Sequence, residues 1–258
     1  MWHLAKSYLR FLWHSGNQHG LHSPFVFDLV TKCFYNKEYR KSYQVLTAHR
    51  EALAKDTREI SVEDFGSGSR IFKSNLRAVN AIAKNAGISP KRAELLNRLV
   101  DYFEVEEVLE IGTSVGLATM ALAVNNDKAK ITTVEGCTQT SIIASEYFSN
   151  FGISTISSKV AKFENFIKDV SLKKKYDLIY FDGNHTNEAT IAYFENLLKT
   201  THNNSVWIFD DIYWSEEMTE AWLFIKNHSE VTVTIDTFQW GFVFFRKEQV
   251  KQHFVIRA

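Results

Sequence analysis

The residues best placed to do chemistry lie where apolar runs end in acids. Tyr176-Asp-Leu-Ile-Tyr-Phe-Asp182-Gly-Asn-His185 puts a histidine three residues past a carboxylate, and Val206-Trp-Ile-Phe-Asp210-Asp211 ends in two carboxylates. An imidazole with its ordinary pKa near 6.5 can take the proton of an oxygen nucleophile at neutral pH, which makes His185 a candidate base. Carboxylates gathered without partners repel and raise one another's pKa, and a hard divalent cation such as Mg²⁺ or Mn²⁺ relieves this. A third run, Val108-Leu-Glu-Ile-Gly-Thr-Ser-Val-Gly116, ends in an acid, Glu110, followed by a glycine turn. Glycines at Gly112 and Gly116 allow positive φ and let a ligand approach bare backbone, and the helix that follows offers unpaired N–H groups. Lys130-Ile-Thr-Thr-Val-Glu135 then ends in an acid, about 20 residues past the turn, where a carboxylate can accept both hydroxyls of a ribose.

These groups need elements to hold them at one edge. Strands are expected at 106–111, 130–135, 153–157, 176–181, 204–209, 230–236 and 241–246. Helical patterns are expected at 76–86, 90–102, 116–125, 138–151, 161–171, 187–200 and 216–228, with Ser89 capping the second. Alternating strands and helices imply a parallel sheet with right-handed crossovers, and such sheets bind ligands at the carboxyl ends of their strands. The last two strands are joined by Thr237-Phe-Gln-Trp240, too short for a crossover, so they form an antiparallel hairpin. The first 75 residues lack this alternation. Helices are expected there at 2–13, 25–34 and 43–55, with a loop at 14–24. This divides the chain into a helical extension or lid, 1–75, and a nucleotide-binding α/β domain, 76–258.

The first motif resembles that of class I S-adenosylmethionine (SAM) methyltransferases, in which an acid precedes the glycine turn and faces the amino acid end of SAM. It is not the Gly-x-Gly-x-x-Gly of a dinucleotide enzyme. Seven strands with a terminal antiparallel hairpin are similar to the same class, a Rossmann-like sheet. The resemblance implies SAM as cofactor, with Glu110, Gly112, Thr113, Ser114, Gly116, Glu135, Gly136 and Asp182 around it, Cys137 beside the adenosine, and Ala161 and Phe163 flanking the adenine. Asp182, Asp210 and Asp211 resemble the metal trio of catechol and caffeoyl-CoA type O-methyltransferases, although the third ligand there is usually Asn. His185 stands where that family has a catalytic lysine. Asp-Gly-x-His is similar instead to sugar and macrolide O-methyltransferases, where the histidine is the base, with Asp182 beside it. The His-Ser-Pro-Phe start and Asp-Asp-Ile-x-Trp-Ser segment resemble bacterial methyltransferases of family-24 type.

Composition narrows the partners. Thirty basic and 30 acidic residues cancel, which gives no phosphate-binding surface for nucleic acid. There is no run of membrane-spanning length and no signal-peptide pattern. Cys33 and Cys137 form no metal or redox motif, so a cytoplasmic location is expected. Trp2, Tyr8, Phe11, Leu12 and Trp13 read as a core or dimer contact, and the short length and low charge of their helix argue against a membrane. His14, His19 and His22 read as a bent loop, and Asp64-Phe-Gly-Ser-Gly-Ser-Arg70 as a turn or a loop near the cofactor. The reading is a SAM-dependent methyltransferase acting on a hydroxyl of a small molecule. Its alternatives are an aminopropyl transferase on the same fold and a SAM-binding protein without turnover.

Overall fold

The computed structural model describes residues 2–66, 68, 72–170 and 174–258. In chain order the helices are α1 (Trp2–His14), α2 (Pro24–Leu29), α3 (Lys41–Lys55), α4 (Val79–Asn85), α5 (Pro90–Tyr102), α6 (Leu117–Ala123), α7 (Thr138–Asn150), α8 (Phe163–Asp169), α9 (Asn187–Leu197) and α10 (Glu216–Asn227). The strands are β1 (Glu59–Ser61), β2 (Leu76–Ala78), β3 (Glu107–Ile111), β4 (Lys130–Glu135), β5 (Ile156–Val160), β6 (Leu178–Phe181), β7 (Val206–Asp210), β8 (Val233–Asp236), β9 (Trp240–Phe244) and β10 (Gln252–Val255). The chain divides into two compact units, Lys37–Asp169 and Met1–Asn36 with Val170–Ala258.

In the Lys37–Asp169 unit, β3, β4 and β5 lie side by side and parallel, with Glu110 opposite Thr133 and Glu135 opposite Val160. Parallel neighbours need crossovers, and α6 and α7 supply them. Pro90 opens α5 at a position whose N–H would be unpaired anyway, and the Ser89 hydroxyl accepts from the Arg92 amide at 3.3 Å, the expected cap. The apolar face of α5 buries Leu95, Leu96, Leu99 and Val100. The helix expected over 76–86 begins only at Val79, because Leu76–Ala78 pairs antiparallel with Glu59–Ser61. Cross-strand pairing overrides a local helical pattern there.

In the other unit, β6 and β7 are parallel, β9 runs antiparallel to both β7 and β8, and β10 lies parallel to β8 at the edge. The expected hairpin is therefore β8–β9, with Asp236 opposite Gly241. The seven expected strands are all present, with β5 shifted to begin at Ile156, and β10 adds one that the apolar pattern does not announce. β7 and β9 are buried along their whole length, which is why they read as continuous apolar runs. Phe181 stacks on Phe209 with ring centroids 4.2 Å apart, and Phe194 meets Trp207 edge to face. The expected helix 25–34 is split, with α2 passing into a π-turn over Val30–Phe34. Parallel strands alternating with helices make the chain α/β, as expected. Among the described residues no helix is long and apolar enough to cross a membrane.

Candidate active site

The glycine turn is built on a buried carboxylate. Glu110 is fully buried in β3, and its Oε2 accepts the hydroxyls of Thr119 on α6 and Thr133 on β4, both at 2.5 Å. Thr113 in the turn meets Thr133 through its own hydroxyl, also at 2.5 Å. Each of these bonds crosses from one element to another, so a single charged side chain ties strand, turn and helix together. Above it the backbone takes positive φ at Gly112 (104°), Ser114 (50°) and Gly116 (84°). Gly116 is required twice over. Its φ disfavours any side chain, and a Cβ there would lie 2.5 Å from the Phe148 ring.

Glu135 closes the turn from β4. Its Oε2 accepts the Ser114 amide at 2.8 Å and its Oε1 accepts the Cys137 amide at 2.9 Å. Burial pushes its carboxyl pKa up, against the lowering pull of the Cys137 and Ser114 amides. The Thr140 hydroxyl and the Gly136 amide also act on this carboxylate and lower its pKa. The Glu135 carbonyl takes the Ala161 amide at 3.0 Å, which sets the start of the segment leading to Phe163 beside the end of β4. Gly112, Thr113, Ser114, Glu135, Gly136 and Ala161 are thus brought together as expected.

Sequence reasoning missed one wall of this cluster. The Phe65 ring covers Gly136 so closely that a Cβ there would meet it at 2.7 Å, and the Lys162 ammonium sits 5.5 Å from the same ring. The Glu63 amide also points at the Cys137 sulfur at 3.5 Å. The 64–70 segment therefore begins against the cluster. Ser67, Ser69 and Arg70 lie outside the described residues.

The second cluster sits at the ends of β6 and β7. The Tyr180 hydroxyl, fully buried, donates to Asp210 Oδ2 at 3.0 Å, with Asp182 Oδ2 at 3.4 Å. His185 Nε2 lies 3.5 Å from Asp182 Oδ1, and both side chains are about four-fifths buried (21% and 20% exposed). Burial alone would depress the imidazole. The Asp182 hydrogen bond and the charges of Asp182, Asp211 and Asp210 overcome it and hold His185 up at about 9. This corrects the expectation of an ordinary imidazole, because the ring is mostly protonated at neutral pH. Three residues that bear side chains take positive φ here, Asn184 (72°), His185 (44°) and Asp211 (53°). Asn184 is held by its amide donating to Tyr193 Oη at 3.0 Å. Backbone of this kind persists only where the surroundings over-determine it, and here it is concentrated in two adjacent exit loops. Tyr180 and Asn184 were not singled out from the sequence, where nothing separates them from other strand and loop residues.

The expected metal trio is not assembled as a ligand set. Among the described residues no group of three or more His, Cys, Asp or Glu side chains could hold a metal ion. Asp182 faces His185 and the Tyr180 hydroxyl, while Asp210 accepts Tyr180 on one oxygen and the Asp211 amide on the other at 2.8 Å. A hydroxyl and an imidazolium here relieve the repulsion that a cation would otherwise relieve. The His14, His19 and His22 loop is likewise no ligand cluster. Asn17 caps a short 3-10 turn there.

Residues 109–212, from β3 to just past β7, match a family model described as a methyltransferase domain. The matched segment holds the glycine turn and both acid-ended strands. No curated protein sequence matches it. A methyltransferase from Podospora anserina, solved with S-adenosylhomocysteine (SAH), is similar in fold with a TM-score of 0.63 and 14% identity, covering 88% of this chain and 97% of its own. An O-methyltransferase from Bacillus cereus in complex with SAH gives 0.55 and 17%, covering 81% and 92%. An O-methyltransferase from Streptomyces achromogenes, involved in tomaymycin synthesis and solved with SAM, gives 0.55 and 15%, covering 84% and 95%. The expected class I methyltransferase fold is therefore borne out.

Proposed function

We propose that this methyltransferase moves the methyl group of SAM to the oxygen of a small hydroxylated acceptor, and that the acceptor hydroxyl is of phenolic acidity. The observation that carries the reading is the Asp182–His185 pair on strained backbone at the ends of β6 and β7. The first cluster fits the cofactor. Glu135 offers a carboxylate at the end of β4 for a ribose diol, Gly112 to Gly116 supply a glycine turn, and Gly136, Ala161 and Phe163 follow as walls for the adenosine. Bound SAM supplies an activated methyl group on sulfur, so the protein's task is alignment and removal of one proton.

The neutral form of His185, a minority at pH 7 and growing toward pH 9, performs that removal. With its pKa near 9 it is a stronger base than an ordinary imidazole, and it is matched to a phenol of pKa about 10. Asp182, Asp210 and Asp211 stabilise the imidazolium that forms. Mg²⁺ or Mn²⁺ has no step in this scheme.

The test is calorimetric titration with SAH, followed by SAH release against a panel of small phenols. Expected results are micromolar SAH binding lost in Glu135→Ala, and turnover lost in His185→Gln with SAH binding kept. Added Mg²⁺ after chelation leaves turnover within about twofold. No SAH binding would end the reading. SAH binding without turnover on any phenol would leave a cofactor-binding protein or a different acceptor, and a large Mg²⁺ response would restore the aspartates as ligands.

A further inference from the structure

Helix α1 presents its apolar residues on the wrong side for a core helix. Phe11 is buried, packing on Phe238 at 5.5 Å, and Tyr8 touches the same ring at 4.9 Å. Trp2, Leu9 and Trp13 point the other way, 84%, 67% and 87% exposed. At 3.6 residues per turn these three fall within about 40° of one another, roughly opposite Phe11. Two tryptophans and a leucine in one outward line are costly to leave in water, and such a line marks a docking face.

Charge says what covers it. α1 contains no Asp or Glu. Lys6 and Arg10 follow the stripe along one flank, both exposed, and neither makes an ion pair among the described residues. An acid beside the helix, Glu216, lies 3.7 Å from His3, which follows Arg10 around the helix by about 20°. A second copy pairing antiparallel through the stripe would bring both basic flanks to one seam, and a parallel one would set each against the partner's other flank, with no acid on either helix to answer them. A surface that is apolar below and negative above answers both features at once, because tryptophan sits at the headgroup level and lysine and arginine meet the anionic headgroups.

We propose that the outer face of α1 docks the enzyme on an anionic lipid surface through Trp2, Leu9 and Trp13, with Lys6 and Arg10 at the headgroups. This departs from the expectation drawn from helix length and low charge, since the relevant charge is local and the tryptophans are not spent on a core. Acceptors that partition into membranes would then be delivered to the enzyme at the surface.

The test is co-sedimentation of the full chain with phosphatidylcholine vesicles, with and without phosphatidylglycerol. Binding is expected to the mixed vesicles and to weaken with salt. Lys6→Gln/Arg10→Gln should weaken it about thirtyfold. Trp2→Ser/Trp13→Ser should reduce binding by at least about tenfold while helix content by circular dichroism is unchanged. Both variants change exposed side chains, so folding is not at stake. Equal partition into both vesicle types, or variants that bind like the parent, overturns the proposal. A reversible dimer in sedimentation velocity that Trp2→Ser/Trp13→Ser abolishes places a second copy on this face and overturns it as well.

Discussion

Replacing Asp182 with Asn should convert His185 from a charged ring into an ordinary or depressed one. The imidazole is held at about 9 instead of 6.5, which at about 1.4 kcal/mol per pH unit corresponds to roughly 3 kcal/mol in favour of the charged form. At pH 7.5 about one ring in thirty is then neutral. Burial acts against this, and among the opposing influences the Asp182 hydrogen bond and charge come before the charges of Asp211 and Asp210. Removing Asp182 should therefore let burial win and bring the ring to 6.5 or below. The sign for stability follows. A raised pKa contributes stability that is fully present below pH 6.5 and is lost as pH rises through about 9. The wild type should lose up to about 3 kcal/mol over that window relative to His185→Gln. The assay is an NMR titration of the histidine ring carbons, with the His185 signal assigned by its absence in His185→Gln, alongside urea unfolding at pH 6.5 and 9.5. No acceptor substrate is needed. A His185 signal titrating below pH 7 in the wild type, or unmoved by Asp182→Asn, would refute the electrostatic account and the phenol matching built on it.

At the acid end His49 sets a second limit. It is fully buried, neither ring nitrogen has a hydrogen-bond partner, and burial followed by the Arg50 charge depresses it to about 4. Stability should fall by roughly 3 kcal/mol as pH drops from 6.5 to 4, and His49→Phe, which keeps the edge contacts to Tyr147 and Phe151, should flatten that loss in urea unfolding at pH 7 and 4.5. An unchanged slope would mean that His49 is not the group responsible. Gly116→Ala should cost about 2–4 kcal/mol through its φ and the Phe148 overlap, and should abolish SAH binding by calorimetry; a neutral substitution would show that the turn can rearrange. Tyr180→Phe should cost about 1–3 kcal/mol in chemical denaturation, since it leaves Asp210 without its buried hydroxyl donor, and equal stability would show that water replaces it.

Much of the cofactor cluster was legible because its signals are local. A glycine turn needs particular residues within five positions, Ser89 and Pro90 start a helix by their own chemistry, and a fully buried strand such as β7 reads as an unbroken apolar run. The short link after Asp236 could only be a hairpin. The acids at strand ends also followed, since the chain must leave a sheet at an edge. Their partners did not. Tyr180 reaches Asp210 across 30 positions, and Glu110 collects hydroxyls from 9 and 23 positions away. Whether carboxylates repel, bind a cation or share a hydroxyl depends on distances that only the folded chain sets. The same holds for His185, whose residue type supplies a titrating ring but whose pKa is decided by three aspartates and by burial. β10 and the β1–β2 pair escaped because pairing with a distant strand overrides weak local preference. The aromatic helix at 2–13 was legible, but only packing decided that Phe11 turned inward while Trp2, Leu9 and Trp13 faced water.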